Sequence, residues 1–242
     1  MTLDILAFGA HPDDVELHIG GTLAKMAARG YAIGVVDLTR GELGTRGTPA
    51  IRAREAKKAA QILKLQVREN LGLPDGGVMV TPDARLKVIR ALRKLRPMIV
   101  MAPHWHEAHP DHAHAGRLVA EAAHHAGLAK IKTGRERFRP KAILYYMLPP
   151  YVRPTFIVDV SAHIDQREAA IRAHRSQLFD PSREPDTYLS QPDFVNQVET
   201  VHAFYGGLIG RARGEGFFYK GVVEVTDPVD LVRHQSKKRF RF

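Results

Sequence analysis

The 242-residue chain has no cysteine. That excludes disulfides, a thiolate metal site and a cysteine nucleophile, so any metal must be held by His, Asp or Glu. No apolar run approaches the ~20 residues that a bilayer span needs. The N-terminus shows no basic segment followed by an apolar core and a small-residue cleavage site, so no signal peptide is expected. A soluble, cytoplasmic protein is the expectation. Aromatic residues are sparse, at 7% with a single Trp. Few of them lie among the basic residues, which argues against stacking on nucleic-acid bases. No internal repeat, low-complexity segment or linker divides the chain, and its length suits one α/β domain over 1–242 with a basic tail near 233–242.

Positive charge is plentiful, with a formal net charge of +10. It is spread over Arg52–Arg54, Lys57–Lys58, Arg90–Arg96, Arg135–Arg139 and the tail Lys237–Arg239. The helix-borne residues fall between apolar positions, as on a solvated face. A basic surface suits an anionic small substrate, and a nucleic-acid-binding protein is the rival reading from another class. No known reader motif accompanies the charge, so nucleic acid is not an expected partner.

Apolar runs of strand type lie at 3–9, 31–38, 98–102, 142–147 and 155–160. Helical patterns lie at 18–29, 50–64 and 82–95, and again near 162–178 and 193–210. Thr81 reads as an N-cap with Pro82 at the first helical position, and Arg96-Pro97 ends that helix. Strands alternating with helices, and apolar along their whole length, predict a mostly parallel Rossmann-like α/β sheet with helices on both faces.

Such sheets bind ligands at the carboxyl ends of their strands. The first strand ends in His11-Pro12-Asp13-Asp14, and the strand at 98–102 empties into a segment bearing His104, His106, His109, Asp111, His112 and His114. Adjacent carboxylates repel unless a cation sits beside them. Two His and one Asp offer Zn²⁺ three ligands and leave a fourth position for water, the pattern of a catalytic site. One Asp of the pair can ligate while its neighbour acts as general base. A remaining His, oriented by Asp111, is placed to stabilise the carbonyl oxygen or protonate a departing amine. The glycine-rich segment 41–47 matches neither a P-loop nor a dinucleotide fingerprint and reads as a mobile wall of the site.

Ala10-His11-Pro12-Asp13-Asp14 with His109-Pro110-Asp111-His112 resembles the signature of the LmbE-like (PIG-L) zinc-dependent de-N-acetylases. Gly20–Leu23, Thr39–Glu42, Arg46–Thr48, Glu69–Asp75 and Glu215–Phe217 extend the resemblance over most of the chain. The loop motifs are similar to the branch that deacetylates N-acetylglucosaminyl-malate in bacillithiol synthesis. The resemblance implies one Zn²⁺ held by His11, Asp14 and His112. It implies Asp13 as the base, and His109 as oxyanion stabiliser or acid with Asp111 behind it. It implies Arg52 on the substrate's carboxylate, and a homo-oligomer, trimeric or hexameric. Ala108 stands where bacillithiol-type members often carry Arg, so Arg40 and Arg153 are the candidates to compensate. Tyr188 and Tyr151 are candidates for an oxyanion-assisting hydroxyl. An inositol conjugate or a chitooligosaccharide is the alternative substrate.

Overall fold

The computed structural model describes residues 2–182 and 186–233. The basic tail from 234 onward lies outside the described residues. A seven-stranded sheet has the order β3-β2-β1-β4-β5-β7-β6. Its strands are β1 (Ile5–Gly9), β2 (Ile33–Thr39), β3 (Val67–Leu73), β4 (Ile99–Pro103), β5 (Ala142–Tyr146), β6 (Phe156–Asp159) and β7 (Gly214–Tyr219). The first five pair in parallel, and β7 runs antiparallel to both neighbours.

β1 is buried at all five positions because both of its faces are covered. Leu6 and Phe8 point into one core with Leu92 and Leu118, while Ile5 and Ala7 pack with Val15, Ile19 and Leu23. This alternation along one strand is the two-residue period of the pleat. Helices α3 (Pro82–Leu95) and α4 (Pro110–Ala126) pack together on the first side. Helices α1 (Asp14–Ala28), α2 (Pro49–Ile62) and α5 (Ile164–Ala173) pack together on the other. Helix α6 (Phe194–Leu208) lies against β7, and a short α7 (Pro228–Arg233) comes after it.

Thr81 caps α3 by accepting from Ala84 N–H, with Pro82 at the helix start. Two strands were not expected. β3 carries Arg68, Glu69 and Asn70 in its middle, so it lacks an apolar signature. It is one of the sheet's two edge strands, and Arg68 turns inward to Glu16 and Asp37. β7 reads Gly-Glu-Gly-Phe-Phe-Tyr, with Glu215 fully buried. Helix α1 starts at Asp14, earlier than the pattern from 18 suggests, so the second carboxylate of the pair already belongs to its first turn. The helix expected over 162–178 ends at Ala173. No helix among the described residues is long and apolar enough to cross a membrane.

Candidate active site

The strand order reverses between β1 and β4, and crevices form at such a switch point. The β1–α1 turn brings His11, Asp13 and Asp14 there, and the β4–α4 loop brings Glu107, His109, Asp111 and His112. Ligand atoms of His11, Asp14 and His112 lie within 4.8 Å of one another. His11 Nδ1 is 3.2 Å from His112 Nε2, and His112 Nε2 is 3.2 Å from Asp14 Oδ1. The Asp14 carboxylate is fixed by accepting from His11 backbone N–H at 2.9 Å.

The outward nitrogens of both imidazoles face carboxylates. His11 Nε2 is 3.1 Å from Asp75 and 3.3 Å from Asp111, and His112 Nδ1 is 2.8 Å from Glu107. An N–H donated outward leaves the inward nitrogen with a lone pair, which fixes the tautomer a metal ligand needs. Two lone pairs and a carboxylate then converge on one point, where only a cation satisfies all three. The residues present therefore fit a divalent metal. The same pull for positive charge acts on protons, which a bound metal would displace from the inward nitrogens. Burial lowers the pKa of both imidazoles, yet Asp14, aided by Asp75 at His11 and Glu107 at His112, holds both above the ordinary range. Burial likewise pushes Asp14 up, but His112 and His11 hold it well below the usual carboxylate range. His11, Asp75 and Asp111 form a second set of donor atoms of this kind, sharing His11 with the first.

Asp13 is buried next to this cluster and points elsewhere. Arg52 Nη2 donates to its Oδ2 at 3.1 Å and to Pro12 O at 3.2 Å, while Arg52 Nη1 donates to Gly41 O at 3.1 Å. Burial raises the Asp13 pKa against the pull of Arg52. His109 is exposed, with its ring centroid 4.6 Å from that of His112. Its Nδ1 accepts from Asp111 backbone N–H at 3.2 Å, so Nε2 carries the proton of a neutral ring. Burial, with His112 and His11 alongside, lowers its pKa.

Several expected partnerships are corrected. The Asp111 carboxylate does not stand behind His109. It accepts from Gly76 N–H at 2.8 Å and Val78 N–H at 3.2 Å, which turns it to His11. Arg52 is 4% exposed and bonded to Asp13, not turned to the crevice. Segment 41–47 is tied to the site through Gly41 O on Arg52 and Leu43 N–H on Asp75. Arg40 is exposed and lines a hollow between α2 and β3. Tyr188 donates to Gln197 at 3.3 Å and packs edge-on to Phe194. Arg153 is exposed beside Phe156 and Phe204. Tyr151 shares a cleft of about 490 Å³ with His18, Glu107 and Ala108.

Sequence reasoning assigned no role to Asp75 or Glu107. Asp75 closes Leu73-Pro74-Asp75 at the carboxyl end of β3, a strand its polar residues conceal. Glu107 stands between His106 and Ala108 in a segment where the histidines drew attention.

A Rossmann-like sheet with a His–Asp–His cluster at its switch point and a separate buried carboxylate beside it defines a metal-dependent hydrolase. Comparison with known proteins agrees. The PIG-L family, described as GlcNAc-PI de-N-acetylase, matches residues 6–123. Diacetylchitobiose deacetylase of Thermococcus kodakarensis is 30% identical over 234 residues, 90% of this chain and 84% of that protein. A 1D-myo-inositol 2-acetamido-2-deoxy-alpha-D-glucopyranoside deacetylase of Thermomonospora curvata is 28% identical, covering 77% of this chain and 84% of that protein. The crystal structure of the conserved protein TT1542 from Thermus thermophilus has a TM-score of 0.84 and 42% identity, over 93% of this chain and 98% of that one. The chain belongs to the PIG-L (LmbE-like) family of N-deacetylases.

Proposed function

We propose that the enzyme removes the acetyl group from an N-acetylglucosamine conjugate in the cytoplasm, as a homo-oligomer with one zinc per chain. The observation that carries this reading is the convergence of the inward His11 and His112 nitrogens on Asp14, with Asp13 buried alongside. His11, Asp14 and His112 would hold the zinc. When bound there, it supplies Lewis acidity and lowers the pKa of water toward neutrality.

Asp13 takes the proton of the attacking water. Burial, which raises its pKa, favours its taking that proton. Arg52 holds the carboxylate in one orientation through the guanidinium contact. The neutral His109 donates from Nε2 to the amide oxygen as negative charge develops. The C–N bond breaks, the proton collected on Asp13 goes to the departing amine, and acetate leaves.

The loop motifs favour N-acetylglucosaminyl-malate as substrate. Two observations weigh toward a neutral aglycone instead. Arg52 is engaged by Asp13, and residue 108 is Ala. The similarity to a diacetylchitobiose deacetylase weighs the same way.

The test is acetate release from the malate and inositol conjugates, diacetylchitobiose and free N-acetylglucosamine, with and without chelator. Chelator-sensitive release from a neutral member is expected. Asp13→Asn should keep its metal and lose on the order of hundredfold or more in turnover. No release from any member by the fully metal-loaded protein overturns the reading.

A further inference from the structure

The cleft that Glu107 lines beside His112 continues outward. Its outer wall consists of Leu148, Pro150, Tyr151, Val201 and Tyr205, and all five also line a second hollow of about 1350 Å³. The two form one trough that runs from Glu107 and Ala108, past Tyr151, to Phe204 and Ile209 on and just beyond α6. Along it the chemistry changes. The inner part carries His18, Glu107 and His202, whereas among the described residues the outer part has Arg153 as its one charged lining residue. Apolar side chains there are open to solvent, with Tyr151 74% and Phe204 60% exposed. Contiguous exposed apolar surface of this kind marks a binding site.

Resting on the deacetylase reading above, we infer that this outer trough holds the aglycone of the substrate, and that the aglycone is an extended apolar chain. Continuity with the cleft that Glu107 lines, 2.8 Å from His112, points to the occupant. A group attached to the sugar and directed past Glu107 and Tyr151 would meet Val201 and Phe204. Malate would leave most of the outer hollow empty and would find Arg153 as the one cationic lining residue among the described ones. An alkyl or aryl chain buries against the same walls.

The experiment measures acetate release from methyl, butyl and octyl N-acetylglucosaminides by the zinc-loaded full chain. The octyl compound should exceed the methyl one in kcat/KM by on the order of tenfold, mainly through KM, which about two buried methylenes suffice to produce. In Phe204→Asp the octyl-to-methyl ratio should fall to near one, and Phe204→Leu should keep it. A ratio near one in the wild type, with the methyl compound still turned over, overturns the trough assignment and leaves the deacetylase standing. No turnover of any member overturns both. A wild-type ratio near one together with a smaller particle mass for Phe204→Asp in light scattering assigns the trough to a second copy of the chain.

Discussion

Glu107 shows how a single residue outside the His–Asp–His cluster governs the site. Its Oε2 accepts from His109 backbone N–H at 2.7 Å and meets His112 Nδ1 at 2.8 Å. One carboxylate thereby sets the loop and the tautomer of a ligand. Burial raises its pKa, but the His112 contact and the backbone donors hold it below the usual range. Glu107→Ala should therefore weaken zinc binding by roughly tenfold to hundredfold, as loss of an outer partner of a ligating His does. Competition with a chromogenic chelator measures this, and unchanged affinity would remove Glu107 from the metal site. Asp75 plays the corresponding part for His11, sharing it with Asp111. Arg52 is the third such residue, and its partner is Asp13, the proposed base.

At the scale of elements, α1 is held in place by polar groups reaching into its middle. Glu215 on β7 accepts from Gly21 N–H at 2.9 Å and Thr22 N–H at 2.7 Å. Arg167 on α5 donates to Leu17 O at 2.9 Å and has Glu199 and Glu215 as ionic partners. Gly21 is required here, since a Cβ would lie 2.8 Å from Glu215 Oε1 and 2.9 Å from Val160 Cβ. These contacts join α1, α5 and β7, and α1 begins at Asp14 of the candidate metal cluster. Glu215→Ala leaves Arg167 buried with a lost partner and two backbone donors without the carboxylate. The expected loss is about 3–5 kcal/mol of stability. Urea unfolding checks it, and a loss below about 1 kcal/mol, the scale of a single ordinary hydrogen bond, would contradict the assigned role.

For the molecule as a whole, the buried charge group of Glu16, Asp37 and Arg68 ties α1, β2 and β3 across the sheet. Arg68 Nε donates to Asp37 Oδ2 at 2.8 Å and Nη1 donates to Glu16. Burial works to raise Glu16, but Arg68 and His174 lower its pKa from 4.5 to about 2. A depressed carboxylate contributes stability that is complete above its unfolded value and lost as pH falls through the folded one. Asp37 is raised by burial and acts in the opposite sense. Acid unfolding should then draw on Glu16 between about pH 4.5 and 2. Arg68→Leu should move the acid midpoint upward, as monitored by circular dichroism, and an unmoved midpoint would show that the pair does not set acid stability.

Legibility in the sequence rests on the same physics. The strands β1, β2, β4 and β5 were readable because burial on both faces demands continuous apolar runs, whereas β3 and β7 hide Arg68 and Glu215 inside strands. The donor types of the metal cluster were readable from His11-Pro12-Asp13-Asp14 and His109-Pro110-Asp111-His112, because few arrangements tolerate such groups at strand ends without a cation. Which carboxylate faces which imidazole was not. Asp111 turns from its neighbour His109 to His11, a hundred residues away, because Gly76 and Val78 supply its backbone donors. Arg52 turns to Asp13 because the end of β1 and the start of α2 meet there. By itself the sequence determined the donor types of the cluster and the strands β1 and β4 that carry them. The tertiary structure alone decided orientation, since the partner of each charged atom is chosen by packing between segments far apart in the chain.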